Sequence, residues 1–399
     1  MVRHSRVRRG AVAVWTLLAL PVAVLLLALA LSSSGASLLA EQSRRTADAS
    51  AQAAAEALVG DALLRARLTG HGAYLRPTFD ASHAEAVRAA GLNPIYRDVI
   101  APERNGDNDP DGEFVVGSVP QFGFQAPFTP AAHRNWADVN AVRIHLERTG
   151  RDAPRTPGGI PHKLAVTSAA MLDGDVAGFQ PGRAGQAIPM APFALDERAW
   201  NLAIETAEWE DEGLPEIEVR LMARRDPHPG RNRRPTAVAV TLGTRSPDEF
   251  LSQILTGVTE DQYERFTAAV RGPLELDEES GRLPMPGDRH YGHSSHSRLL
   301  AGLGELRKSG EPRVFPVTRG FAGDGRRVVW VNGFVAARVV HIKEEVLKFP
   351  EHGLFAGLMQ ARTIVVTLRP AMVCSPTVVT RPTAPPNPYV CTVRLVIAR

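Results

Sequence analysis

Apolar and polar positions along the chain fall into three regimes. Residues 11–31 form an unbroken apolar run in which Thr16 is the single polar side chain. As a helix rising 1.5 Å per residue the run spans about 32 Å, against roughly 30 Å of bilayer hydrocarbon. From residue 36 to about residue 69 the pattern turns amphipathic. Ala47, Ala51, Ala54 and Leu58 share one helical face, Leu63 and Leu64 follow, and Arg44, Arg45, Asp48, Gln52 and Glu56 lie between them. This spacing predicts that the apolar helix runs on as an Ala-rich stalk, ending near Gly70 and Gly72. The stripe either packs on the chain's own folded region or meets other such helices, since small residues allow close approach.

Beyond residue 70 short strand-like runs take over, at 113–119, 140–146, 164–171, 216–222, 237–242, 327–341, 363–369 and 390–397. Several alternate strictly, as in Val142-Arg143-Ile144-His145-Leu146, which suits a sheet with one wet face. Helix-like segments lie at 196–207, 246–255, 259–270 and 294–308, and Ser246-Pro247 gives a helix-start signal. Strand clusters mixed with helices, without a regular βα rhythm, predict α+β. The expected organisation is a basic head at 1–10, a transmembrane helix at 11–31, a stalk at 32–70, a β-rich domain at 71–245 and an α+β domain at 246–399.

Charge supplies the topology. Arg3, Arg6, Arg8 and Arg9 precede the apolar run and no acid appears before Glu41, so the head is expected in the cytoplasm and the rest across the membrane. Of 46 basic residues these four lie in the head, leaving 42 against 43 acids in the remainder. The basicity of the chain therefore belongs to the topology signal, and nucleic acid is not an expected partner. Eight Leu and four Val in the run contribute about −4 to −7 kcal/mol towards insertion. A signal peptide's apolar stretch is about 7–15 residues, so a retained signal-anchor is expected, with cleavage in Ser32-Ser33-Ser34-Gly35-Ala36 the alternative.

Arg8-Arg9-Gly10-Ala11-Val12-Ala13-Val14, followed by the apolar run with Leu20-Pro21, resembles the start of TadG-like proteins of the tight-adherence (Flp) pilus assembly system. Arg44-Arg45-Thr46-Ala47-Asp48-Ala49-Ser50-Ala51 resembles the segment that follows in that family. So do Val139-Asn140-Ala141-Val142-Arg143-Ile144, Gly178-Phe179-Gln180-Pro181 with Ile188-Pro189, and residues 194–200 further on. Leu242-Gly243-Thr244, residues 286–294 and Gly333-Phe334-Val335 extend the likeness. TadE-type pseudopilins of the same system carry Glu at the fifth position after a cleavage glycine. Counted from Gly10 that position is Trp15, which sets the chain nearer the TadG-like side. No Asp-x-Ser-x-Ser motif is present. The resemblance implies a non-enzymatic, single-pass envelope protein that works by anchoring and by contact with protein partners of a pilus or secretion assembly.

Three clusters carry candidate chemistry. Asp107, Asp109 and Asp111, within Asp107-Asn108-Asp109-Pro110-Asp111-Gly112, match the front of a calcium loop. Ser118 occupies the place of the closing bidentate Glu, so a turn is the plainer reading. His290, His293 and His296 recur every third residue and form a candidate zinc set, weighed against a polar loop leading into a helix; neither His-Glu-x-x-His nor a supporting carboxylate accompanies them. Cys374 and Cys391 are the only cysteines. They flank a Pro-rich segment and are a candidate disulfide in an oxidising compartment, closing a loop worth about 3 kcal/mol; two separate buried thiols are the alternative. No phosphate loop, nucleophile elbow or Cys-x-x-Cys occurs, so neither catalysis nor a cofactor is expected. The alternatives to the pilus reading are a membrane-tethered ligand- or calcium-binding module and a zinc-dependent envelope hydrolase using the histidines.

Overall fold

A computed structural model describes residues 5–72, 75–120, 127–131, 136–149, 153, 163–182, 185–207, 209, 213–222, 236–270, 273–276, 282–284, 293–319, 328–348 and 360–396. The fold is mixed helix and strand with one long apolar N-terminal helix. That helix, α1 (Ser5–Ala57), has two contrasting halves. In the first, Leu17 is 75% and Leu31 66% exposed. In the second, Ala47, Ala51 and Ala54 are fully buried, as is Leu58 just past its end.

Nothing interrupts α1 at Ser32-Ser33-Ser34-Gly35, the stretch of weakest helix propensity. Ser33 Oγ turns back to Ala30 O at 3.0 Å, and Tyr96 Oη donates to Gly35 O at 2.8 Å, clamping the helix where its exposed half ends. The helix ends at Ala57 rather than near residue 70. Val59 and Gly60 break it, and Gly60 is fully extended. A separate helix, α2 (Asp61–Thr69), then begins with Asp61 in its positive first turn and ends on left-handed Gly70, φ 73°. Asp61 is also paired at 2.7 Å with Arg338, 277 positions later, an anchor that helical periodicity does not reveal.

The second half of α1 is therefore the central rod of a folded layer and does not stand off as a stalk. Helix α3 (Arg76–Leu92) packs along it, with Ser82 Oγ donating to Ala54 O at 2.7 Å. On its other side lies a six-stranded sheet. Its strands β1 (Phe114–Ser118), β2 (Thr129–Pro130), β3 (Ala141–Arg148) and β4 (Leu164–Asp173) form an antiparallel set in the order β4-β3-β1-β2. Val142, Ile144 and Leu146 on β3 are fully buried in the same core as the Ala face of α1, as their alternation predicts. Asp48 accepts a 2.6 Å hydrogen bond from Ser168 on β4, fixing the helix on the sheet.

The chain then leaves this layer through β5 (Val176–Phe179) and builds a second body. Strands β6 (Phe193–Asp196), β7 (Ile217–Met222) and β8 (Ala237–Ala239) are followed, after an inserted helical segment, by β11 (Arg313–Thr318), β12 (Val328–Lys348) and β13 (Gln360–Pro370). They pair in the order β12-β11-β6-β8-β7-β13, and β13 pairs back onto β12, so the sheet closes into a ring. Closure removes the unpaired edges that an open sheet leaves. The insertion carries α5 (Pro247–Thr256), α6 (Glu260–Val270), β9 (Leu274–Glu275), β10 (Arg282–Pro284) and α7 (His293–Ser309), whereas α4 (Glu197–Glu205) joins β6 to β7. Ser246 caps α5 by accepting from Glu249 N, and Asp196 caps α4 by accepting from Ala199 N at 2.8 Å. Gly243, with φ 77°, lies where any Cβ would strike Gln262 O, giving the Leu242-Gly243-Thr244 motif a steric reason.

After the ring the chain returns to the first layer. Strand β14 (Val373–Cys374) runs parallel to β16 (Val390–Val396), which pairs antiparallel with β4; between them β15 (Val378–Thr380) joins β5 and β9 in a small third sheet. A division at residue 245 does not follow this topology. It would cut the ring at the β6–β11 and β7–β13 pairings and separate β16 from the sheet it completes.

Candidate functional site

The first feature able to act on surroundings is the exposed half of α1. It belongs to a helix long and apolar enough to cross a membrane, and none of its apolar window is buried. Trp15, Leu17, Leu20 and the Leu25-Leu26-Leu27 run are exposed, while Leu39 is the first large apolar side chain among the described ones of the helix to enter the core. Arg6, Arg8 and Arg9 lie on the opening turns of α1; Arg3 is outside the described residues.

The Asp107–Asp111 segment is organised as a turn by its asparagines. Asn105 both donates to Asp109 O at 2.7 Å and accepts from Asp109 N at 2.9 Å. Asn108, held at a left-handed φ of 53°, accepts from Val116 N and donates to Val116 O and Ala131 O. Asp109 Oδ1 accepts from Asp111 N, which commits that oxygen to the loop. Among the described residues no group of three His, Cys, Asp or Glu side chains is placed to hold a metal. The loop instead staples β1 to Ala131, just past the end of β2. Asn108→Ala should cost about 2 kcal/mol by leaving backbone groups without partners, read as a lower urea midpoint with an unchanged slope.

Of the histidine set, His290 lies outside the described residues. His293 and His296 fall in the first turn of α7 by backbone, and their side chains are likewise outside the described set.

Cys374 and Cys391 are brought together. They are register partners in the parallel β14–β16 pair, and both are free thiols. Cys391 is completely buried; Cys374 is partly exposed. Cys391 Sγ donates to Val373 O at 3.8 Å. The neighbouring Cys391 thiol, and then burial, push the Cys374 thiol far up. On Cys391 the influence of Cys374 outweighs burial and holds its thiol below the ordinary value, with help from the positive charge of Arg67. Arg67 reaches in from α2, where burial lowers its own pKa. Opposing it is Asp173, a buried carboxylate held by Thr380 at 2.6 Å and Arg394 at 3.2 Å. The sequence made these cysteines a candidate disulfide because they flank a loop; the structure sets them side by side as free thiols. Arg67 was not foreseeable, because no local pattern links α2 to a strand more than 300 residues away, and neither was Asp173 on β4.

Comparison of the chain with protein-family models, with curated proteins and with solved structures gives no match.

Proposed function

We propose that this chain is a single-pass envelope protein, with the N-terminus in the cytoplasm and the folded region outside it, that acts without catalysis by anchoring and by protein–protein contact. In this reading it is a TadG-like component of a tight-adherence pilus system, as its sequence motifs suggest. The observation that carries the reading is the division of α1 into a bare apolar half and a buried half. A helix shared in this way holds the folded layer directly at the membrane surface, with no flexible linker between. The clamp of Tyr96 on Gly35 supports the same arrangement. Burial of the Ala face within the chain's own core leaves contact with partners to the sheets and loops and not to a free stalk.

The direct test is deletion of the gene in an organism that makes such pili, with imaging of surface appendages and an adhesion assay. Loss or shortening of pili, restored by the full chain, is expected. Unchanged pili and adhesion would overturn the role. Restoration by a chain cut after residue 31, lacking the folded region, would overturn the contact mechanism.

A further inference from the structure

We propose that Cys374 and Cys391 are a thiol–disulfide exchange site, at which an external disulfide oxidises the pair and so ties the C-terminal strand to the loop that precedes it. The cysteines are Cα partners on parallel strands, so both side chains leave the same face of the sheet. Neighbouring-strand spacing of about 4.8 Å falls within the Cα separations that disulfides accept. Their exposure differs in a useful way: Cys374 is partly exposed, while Cys391 is fully buried. Around them lie Arg67 beside Cys391, Glu56 facing Cys374, and Asp173, whose charge is shared with Arg394.

The exchange balances as follows. Cys374 Sγ gives its proton to solvent and attacks one sulfur of the external disulfide, releasing the first thiolate, which takes a proton from solvent. Cys391 Sγ then loses its proton and attacks Cys374 Sγ, breaking the mixed disulfide and releasing the second thiolate, which is protonated in turn. The protein loses two protons and two electrons, and the external disulfide becomes two thiols. Arg67, as a positioning residue, stabilises the anion on Cys391 in the second step.

The bond would close a segment that joins the two bodies of the fold. Within it Asn387 donates to Phe334 O on β12 at 2.7 Å, and Tyr389 Oη accepts from Trp200 of α4 at 3.2 Å. Oxidation would thus secure the junction between the first layer and the ring.

The full chain in detergent, incubated with glutathione disulfide and analysed by intact mass and peptide mapping, tests this. The expected product has lost two hydrogens, carries no glutathione, and yields one cross-linked peptide joining positions 374 and 391. Cys391→Ser should trap glutathione on Cys374, whereas Cys374→Ser should leave Cys391 unreactive until the chain is unfolded. Arg67→Gln should slow ring closure about tenfold at neutral pH, with the gap closing as pH rises and Arg67→Lys retaining most of the rate. A stable glutathione adduct on the unmodified pair, or both thiols recovered free from the folded chain, would overturn the site. A wild-type rate across the pH range in Arg67→Gln would overturn the part given to Arg67.

Discussion

Ala51→Arg is expected to unfold the region beyond the membrane run while leaving membrane insertion intact. Ala51 has no exposed surface and belongs to the core shared by α1, α3 and the first sheet. An arginine there must displace close-packed neighbours, at about 1–3 kcal/mol, and bury a cation with no partner, at several kcal/mol more. Against a total stability of about 5–15 kcal/mol for a typical domain, that sum removes most of the folded population. Gln52→Arg is the control. Gln52 is exposed on the same turn, so its substitution should move stability by no more than about 0.5 kcal/mol. Limited proteolysis of the two variants in membranes separates the outcomes, with rapid loss of the folded region in Ala51→Arg alone. Equal resistance of both would mean that the Ala face is not core.

The opposite half of α1 should respond in the opposite sense. Leu25 and Leu27 are about 60% exposed and support nothing in the folded layer. The double substitution Leu25→Arg with Leu27→Arg should leave folding untouched but cost about 6–8 kcal/mol of insertion free energy, since each change adds a charge near the helix centre and removes a leucine. This equals or exceeds the drive of the whole run, so the chain should move from the membrane pellet to the supernatant on alkaline carbonate extraction. Retention in the pellet would show that something other than residues 11–31 holds it there.

These two responses mark what could and could not be read from the linear pattern. Strict alternation located β3 and β7, and the start signal Ser246-Pro247 located α5, because each depends on neighbours within one turn or one pleat. Strand β11 was not legible. It is buried at every position, which removes the period of two, and Pro316 lies inside it. The proline fits because it sits between the bridge of Val314 to Met190 and the start of pairing with β6 at Val317. Helix α3 was missed for a related reason: its buried residues are Ser82 and three alanines, too small to outline an apolar face. The Ala stripe on α1 announced close packing but not its partner. Period and residue size say which face is covered, and only the packing of α3, β3, β4 and the returning β16 against α1 says by what. The same limit applies to Cys391, whose position in the chain was plain but whose neighbour Arg67 comes from the other end of it.

In the proposed reading one helix serves as both anchor and core. Hydrogen exchange on the full chain in lipid nanodiscs tests it most directly, resolved along α1. Amides of residues 39–57 should exchange as slowly as those of β3 and β4 and through the same global opening, with residues 15–31 protected independently by the bilayer. Ala51→Arg should abolish the first protection and spare the second. Exchange at 39–57 that is fast beside a slowly exchanging β3, or that is unaffected by Ala51→Arg, would contradict the account.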